Sequence, residues 1–224
     1  MPTAFPFRAV IFDMDGVIVD TEAAYIVEQR VFLDEHGIDV PTEELNAMVG
    51  TSHQTFVNAL VDWWERGGYG TFTPDEAYAR FEEWSSRYVY HYRDLLNPGV
   101  VETLDELARR GVRLALASSS RMDNILDVLG QCGITDRFEV IVSGEQFRES
   151  KPDPEIYLHA MECLGLTADE CCCIEDSEVG ITAGKRAGLT VFAKREERFG
   201  FSQAAADQII DSVPDLLNVT RNHE

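Results

Sequence analysis

Short apolar runs separated by helix-length segments recur from residue 97 onward, and one such run lies near the start of the chain. The runs are rich in Val and Ile, a pattern that favours buried strands of a parallel sheet joined by crossover helices. We therefore predict an α/β fold. The predicted strands are Ala9–Asp13, Val112–Ala117, Val140–Val142, Cys171–Ile174, Thr190–Ala193 and, with a weaker pattern, Asp207–Ile210.

Glycine and proline mark the ends of the predicted crossover helices. One helix spans 100–110 and ends before Gly111, and another spans 179–187 and ends before Gly188. A third is predicted to begin with Asp153 as N-cap and Pro154 at the first helical position.

Residues 21–96 carry only helical patterning and interrupt the alternation of strands and helices. Thr73 and Glu76 form a predicted capping box at the start of one of these helices. We predict a helical cap at 21–96, inserted between the first two strands of a core made of 1–20 and 97–224. Trp63 and Trp64 are adjacent on a predicted helix, so we expect one to lie in the cap core and the other to face solvent or the cleft.

Polar residues follow several of the predicted strands, and ligands of open α/β sheets bind at this edge. Four acids held together there would repel one another unless a cation binds, and carboxylate oxygens suit Mg²⁺. The candidate residues are Asp13, Asp15, Ser118, Lys151, Glu175 and Asp176.

These residue types predict phosphoryl transfer. Asp13 is the candidate nucleophile, and Asp15 is the candidate acid and base that protonates the leaving oxygen and then deprotonates water. Ser118 and Lys151 are expected to hold the phosphoryl oxygens. Asp176 would complete the metal site, with Glu175 binding directly or through water.

Four motifs in this order resemble those of the haloacid dehalogenase-like hydrolase superfamily. They are 12–22, 116–120, 150–154 and 174–177 with Gly180 and Ile181. The resemblance implies a Rossmann-like core with a helical cap. It also implies one Mg²⁺, bound by the Asp13 side chain, the Asp15 main-chain carbonyl and the acids Glu175 and Asp176.

Asp15 narrows the resemblance to the phosphatases and phosphomutases, and the chain looks most like the branch of β-phosphoglucomutases and sugar-phosphate phosphatases. The mutases usually carry a histidine where this chain has Tyr25 and a cap-loop arginine where it has His53. The predicted cap has no lysine. Hydrolysis of a small phosphorylated metabolite, such as a sugar phosphate, therefore fits better than a mutase. The mutase remains an alternative if a cap arginine faces the cleft and binds a second phosphate. The candidates are Arg66, Arg80, Arg87 and Arg93.

Pyrophosphate cleavage is a further enzymatic alternative. A non-catalytic ligand sensor is another alternative, although the complete set of catalytic residues argues against it.

Several residues beside the motifs have less specific signals. Gly50, His53 and Ser119 are predicted to contact substrate, and Asn124 is a further candidate for a phosphate or sugar contact. The alternatives are a solvated loop position for His53 and an ordinary helix position for Asn124. Asp20 is expected to position the turn into the cap.

The chain has 224 residues and a formal net charge of −21, which disfavours nucleic acid as a partner. It shows neither a membrane span nor a signal-peptide pattern. Its five cysteines, three of them consecutive in a strand-like run, are expected to be buried reduced thiols. We expect a cytoplasmic monomer.

Overall fold

The computed structural model describes residues 5–220. Each apolar run that was predicted to be a strand forms one, and no strand end differs from the prediction by more than one residue. The strands are β1 (Ala9–Phe12), β2 (Arg113–Ser118), β3 (Val140–Ser143), β4 (Cys171–Glu175), β5 (Thr190–Lys194) and β6 (Gln208–Ile210).

Within residues 5–220 the strands form one parallel sheet in the order β3-β2-β1-β4-β5-β6. The order reverses at β1, where crossovers on opposite faces of the sheet leave a crevice at the carboxyl ends of the strands.

Eight α-helices surround or extend from this sheet in the described part of the chain. They are α1 (Thr21–Glu35), α2 (Thr42–Asn46), α3 (His53–Arg66), α4 (Pro74–Ser85), α5 (Val100–Arg109), α6 (Met122–Cys132), α7 (Glu155–Leu164) and α8 (Glu178–Arg186).

Helix α7 begins one residue later than predicted. Pro154 is its N-cap, whereas the prediction placed Asp153 there, and that prediction was wrong. The Asp153 carboxylate still accepts a hydrogen bond from the first helical N–H, that of Glu155, at 2.9 Å.

The sheet is covered on both faces, as its apolar strands require. Helices α5 and α6 pack with one apolar cluster, represented by Leu104 and Ile125, and α7 and α8 pack with the other, represented by Tyr157 and Ile181. The three consecutive cysteines lie in β4, reduced and buried.

Helices α1 to α4 form an inserted helical cap with an apolar cluster of its own. Trp63 and Trp64 both lie in it, with 0% and 4% of their surfaces exposed, so the expectation that one would face solvent or the cleft was wrong. Helix α3 is covered on two sides: Trp63 donates to Glu44 of α2 at 2.9 Å, and Trp64 donates to the Ala77 carbonyl of α4 at 3.3 Å.

The segments that enter and leave these helices run side by side. The Asp20 amide donates to the Leu95 carbonyl at 2.8 Å, and the Asn97 amide donates to the Ile18 carbonyl at 2.9 Å. Because the two connections are hydrogen-bonded, the helical insertion returns to the core where it left. Boundaries at residues 20 and 96 remain a prediction.

Candidate active site

The carboxyl ends of the central strands bring several predicted residues to one edge of the sheet. Phe12 of β1 is in register with Leu116 of β2 and Ile174 of β4. Asp13 therefore follows β1 at the level where β2 ends in Ser118 and β4 ends in Glu175.

Lys151 reaches this edge from a loop that follows β3. Its buried ammonium group donates to Asp13 Oδ1 at 2.6 Å, to Glu175 Oε1 at 2.7 Å and to the Ala117 carbonyl at 3.0 Å. Burial is the largest influence and acts to lower the pKa of Lys151, but the charges of Asp13 and Glu175 outweigh it and raise that pKa. Lys151 is thus a permanent positive charge between two carboxylates.

Asp13, Glu175 and Asp176 can each place one carboxylate oxygen within 4.8 Å of the others. Burial, followed by the charge of Glu175, raises the pKa of Asp13 to about 8. Burial and the charge of Asp13 also raise the pKa of Asp176. Both Asp176 oxygens are buried and have no hydrogen-bond partner among the described residues. A divalent cation would satisfy these oxygens and offset the repulsion, so the donor set fits a hard metal ion.

Gly16 lies directly against the Asp176 carboxylate. A Cβ atom at Gly16 would lie 1.9 Å from Asp176 Oδ2, and its φ of +82° is one that L side chains rarely adopt. Any side chain at position 16 would displace the Asp176 carboxylate, so this position requires glycine.

Asp15 has different surroundings from Asp13. Its Oδ1 accepts a hydrogen bond from Thr21 at 2.5 Å, and its Oδ2 accepts one from Ser120 at 2.8 Å. Burial is the largest influence on its pKa and raises it, while the two hydroxyl donors act in the opposite direction. The Asp15 side chain is held outside the three-carboxylate cluster, where it lines the cavity.

Ser118 and Ser119 lie on the core side of the site. Ser118 is fully buried, and its hydroxyl oxygen accepts a hydrogen bond from the Ser120 amide at 3.1 Å. Ser119 donates its hydroxyl to the Gly50 carbonyl at 3.4 Å, which joins the second-strand loop to the helical insertion.

Gly50 also contacts two other parts of the site. Its amide donates to Glu22 Oε1 at 2.9 Å, and a Cβ added to it would lie 2.5 Å from Ser177 Oγ. Burial, followed by the charge of Asp15, raises the pKa of Glu22 to about 8. Gly50 is therefore a point of close approach between the insertion and the β4 loop.

A cavity of about 640 Å³ lies between the core and helices α1, α3 and α4. His53 lines it and packs edge-on against Tyr78, with the ring centroids 4.5 Å apart. Burial, followed by the charge of Arg121, lowers the pKa of His53. Tyr25 and Asn124 also line the cavity, and each is within hydrogen-bond distance of the Tyr92 hydroxyl, at 3.4 Å and 3.3 Å.

The candidate cap arginines are absent from the residues that line this cavity. Arg66 pairs with Glu44 and Asp62, Arg80 lies over the Phe72 ring and Arg87 pairs with Glu35; Arg93 is exposed elsewhere. Among the described residues, the arginine that lines the cavity is Arg121 of the core, and it pairs with Asp123 at 2.7 Å.

Several residues that hold the site were given no role in the sequence analysis, although Thr21 and Ser120 lie within its motifs. Ser120 binds Asp15, Tyr157 donates its hydroxyl to Glu175, and Gln203 donates to the Asp176 carbonyl at 2.6 Å. Ser120 lies two residues beyond Ser118, a spacing that would have suggested it. Tyr157 and Gln203 are on a helix and a loop without a motif. Asp20 pairs with Arg198, at 2.7 Å for the shorter contact, and its side chain does not cap α1.

A family model described as haloacid dehalogenase-like hydrolase matches residues 10–194. The chain belongs to the haloacid dehalogenase-like hydrolase family. The chain is 33% identical over 185 residues to the phosphorylated carbohydrates phosphatase of Thermotoga maritima, covering 81% of this chain and 82% of the relative. It is 30% identical over 219 residues to the β-phosphoglucomutase of Bacillus subtilis, covering 93% of this chain and 91% of the relative.

Solved structures of the family share this architecture. The β-phosphoglucomutase of Clostridium difficile aligns with a TM-score of 0.74 at 23% identity, covering 95% of this chain and 97% of that one. A putative β-phosphoglucomutase of Thermotoga maritima aligns with a TM-score of 0.70 at 28% identity, covering 94% and 97%. The expected parallel-sheet core with an inserted helical cap is confirmed, and the relatives indicate a phosphoryl-transfer enzyme. No helix within residues 5–220 is long and apolar enough to cross a membrane.

Proposed function

We propose that this chain is a magnesium-dependent phosphatase that hydrolyses a small phosphorylated metabolite, with sugar phosphates as the substrate class. The observation that carries the proposal is the contrast between two carboxylates two residues apart. Asp13 contacts Lys151 and adjoins Asp176, whereas Asp15 is bound by two hydroxyl groups. Paired carboxyl groups in contrasting environments take different chemical roles.

Asp13 acts as the nucleophile in this proposal. One of its oxygens forms a bond to phosphorus as the bond from phosphorus to the leaving oxygen breaks, and Asp15 transfers its proton to that oxygen. Asp15 then takes a proton from water, whose oxygen displaces Asp13 from phosphorus and releases phosphate. Ser118 and Lys151 hold the phosphoryl oxygens, and Gly50, His53 and Ser119 border the leaving group.

Asp13, Asp176, Glu175 and the Asp15 carbonyl are the groups that would hold Mg²⁺. The ion would neutralise the charge that otherwise keeps a phosphate dianion from the Asp13 carboxylate. Glu175 Oε1 accepts short hydrogen bonds from Lys151 and Tyr157. Its Oε2 accepts longer ones, from the Asp176 amide at 3.3 Å and the Ser177 hydroxyl at 3.4 Å, so Oε2 is the oxygen whose contacts a metal or its water ligands would replace more easily.

A screen of phosphate release from phosphorylated sugars, polyols and pyrophosphate, with and without Mg²⁺, tests the proposal. In Asp13→Asn the nucleophile is lost while shape is conserved, so we expect activity to fall by roughly 10⁴-fold or more with an unchanged fold. Asp34→Asn, an exposed change in α1, is the matched control. If folded Asp13→Asn retained substantial activity, Asp13 would not be the nucleophile.

A phosphosugar mutase is the second candidate, favoured by the 30% identity to the Bacillus subtilis β-phosphoglucomutase over 91% of that protein. A mutase must bind a second phosphate, and the cavity offers Arg121, already paired, together with the acids Glu28, Glu82 and Asp127. A coupled assay converting β-glucose 1-phosphate to glucose 6-phosphate separates the two activities. Isomerisation faster than phosphate release would make the mutase the correct assignment.

A further inference from the structure

The loop that follows β5 contains Gln203, a buried residue whose side-chain nitrogen and oxygen both form hydrogen bonds. Its Nε2 donates to the Asp176 carbonyl at 2.6 Å and to the Lys194 carbonyl at 2.7 Å. Its Oε1 accepts a hydrogen bond from the Glu196 amide at 3.1 Å. The Gln203 side chain therefore links the loop after β4 to the loop after β5.

Asp176 needs such a link. Neither of its carboxylate oxygens has a hydrogen-bond partner among the described residues, so no contact of the carboxylate itself orients that side chain. The direction of the carboxylate then depends on the main chain at Asp176, and Gln203 binds that main chain. Gly16, on the other side, permits the close approach but donates nothing to the carboxylate.

We propose that Gln203 is a positioning residue for the metal site. It holds the Asp176 main chain so that the carboxylate keeps an oxygen within 4.8 Å of those of Asp13 and Glu175. The inference rests on the metal site of the proposed function. Groups that orient metal ligands typically contribute about 10- to 100-fold in metal affinity.

Gln203→Met tests this, because methionine is similar in length and donates no hydrogen bond. Mg²⁺ binding to the full chain is measured by isothermal titration calorimetry without substrate. We expect the dissociation constant to rise about 10- to 100-fold. Gln208→Met, the same change at an exposed position of β6, is the matched control and should bind Mg²⁺ as the wild type does.

Thermal unfolding separates positioning from a purely structural role. Mg²⁺ that binds the folded chain raises its Tm by an amount set by its affinity. A structural role would lower the Tm of Gln203→Met equally in EDTA and in Mg²⁺. Positioning instead shrinks the increase in Tm that Mg²⁺ produces. Gln203→Asn keeps the amide but shortens the side chain by one methylene group, and it must show the same loss if Gln203→Met does not fold.

Unchanged Mg²⁺ affinity in folded Gln203→Met or Gln203→Asn would overturn the role of Gln203 and leave the phosphatase proposal intact. Wild-type protein that binds no Mg²⁺ would overturn the metal site, and this inference with it. The two failures are therefore distinguishable.

Discussion

Asp13 and Asp15 are two residues apart, yet the fold surrounds them with chemically different neighbours. The ammonium group of Lys151 contacts Asp13, while the hydroxyls of Thr21 and Ser120 contact Asp15. Hydroxyl groups can donate to a carboxylate and can also accept from a protonated carboxyl group. The surroundings of Asp15 therefore suit a residue that alternates between the two forms.

Asp15→Asn should preserve both hydroxyl contacts and remove the transferable proton. We expect kcat to fall about 10²- to 10⁴-fold for an alkyl phosphate, whose leaving oxygen must be protonated. p-Nitrophenyl phosphate needs no such proton, so its first step should survive and the second should become limiting. Rapid-mixing measurements should then show a burst of nitrophenol. An equal loss on both substrates with no burst would contradict the assignment.

For individual residues, the sequence predicts the site residues at the ends of strands and misses those contributed by other helices and loops. Asp13, Ser118 and Glu175 follow from the pattern because parallel strands align their carboxyl ends. Tyr157 and Gln203 reach the site from α7 and the β5 loop, and their contacts depend on the packed tertiary structure. No local pattern encodes such contacts.

The first turn of helix α1 connects the helical insertion to the candidate active site at the edge of the sheet. Thr21 donates to Asp15, and Glu22 accepts a hydrogen bond from the Gly50 amide at 2.9 Å. The start of α1 therefore contacts both Asp15, the proposed acid and base, and Gly50, the glycine at the point of close approach.

Glu22→Gln should change the pH dependence of stability while keeping an oxygen acceptor for Gly50. Burial, followed by the charge of Asp15, raises the pKa of Glu22 to about 8 in the fold, well above the value of about 4.3 for a free glutamate. The wild-type carboxyl therefore costs nothing at acid pH, and its cost grows as the pH rises from about 4.3 to about 8.

Urea unfolding in EDTA should show the variant gaining stability over the wild type across that pH range, by a few kcal/mol at the upper end. Glu43→Gln, an exposed change in α2, should give no such trend. A difference that is independent of pH would contradict the raised pKa.

The helices show where element-scale prediction holds and where it fails. The capping box of Thr73 and Glu76 is confirmed because it is a local contact, complete within four residues. The expectation that either Trp63 or Trp64 would face solvent or the cleft was wrong, because burial depends on which helices pack around α3, and the pattern of a single helix does not contain that information. Two-sided packing is visible only in the assembled cap.

The whole molecule carries a formal net charge of −21, which repels a phosphorylated substrate before it reaches the local positive charge of the site. Raising the ionic strength from about 10 to about 150 mM shortens the Debye length from about 30 to about 8 Å. The long-range repulsion is then screened, while contacts inside the site persist.

We therefore expect kcat/KM for a phosphate ester to rise, by a few fold, as KCl is added at saturating Mg²⁺. The increase in kcat/KM with added KCl should be smaller for a substrate of lower negative charge under the same conditions. A kcat/KM that falls steadily with added KCl would mean that attraction, rather than repulsion, governs the approach of the substrate.

Strand β1 lies between β2 and β4, and Ala9 pairs with both Arg113 and Cys171. These contacts span nearly half and almost three quarters of the chain, although β1 comes first among the strands. During synthesis on the ribosome, β1 must wait for both partners to emerge, whereas the residues of helices α1 to α4 have all been made by then. Asp176 is the last candidate ligand to appear. The whole cap is therefore synthesised well before the chain contains all of its candidate metal ligands.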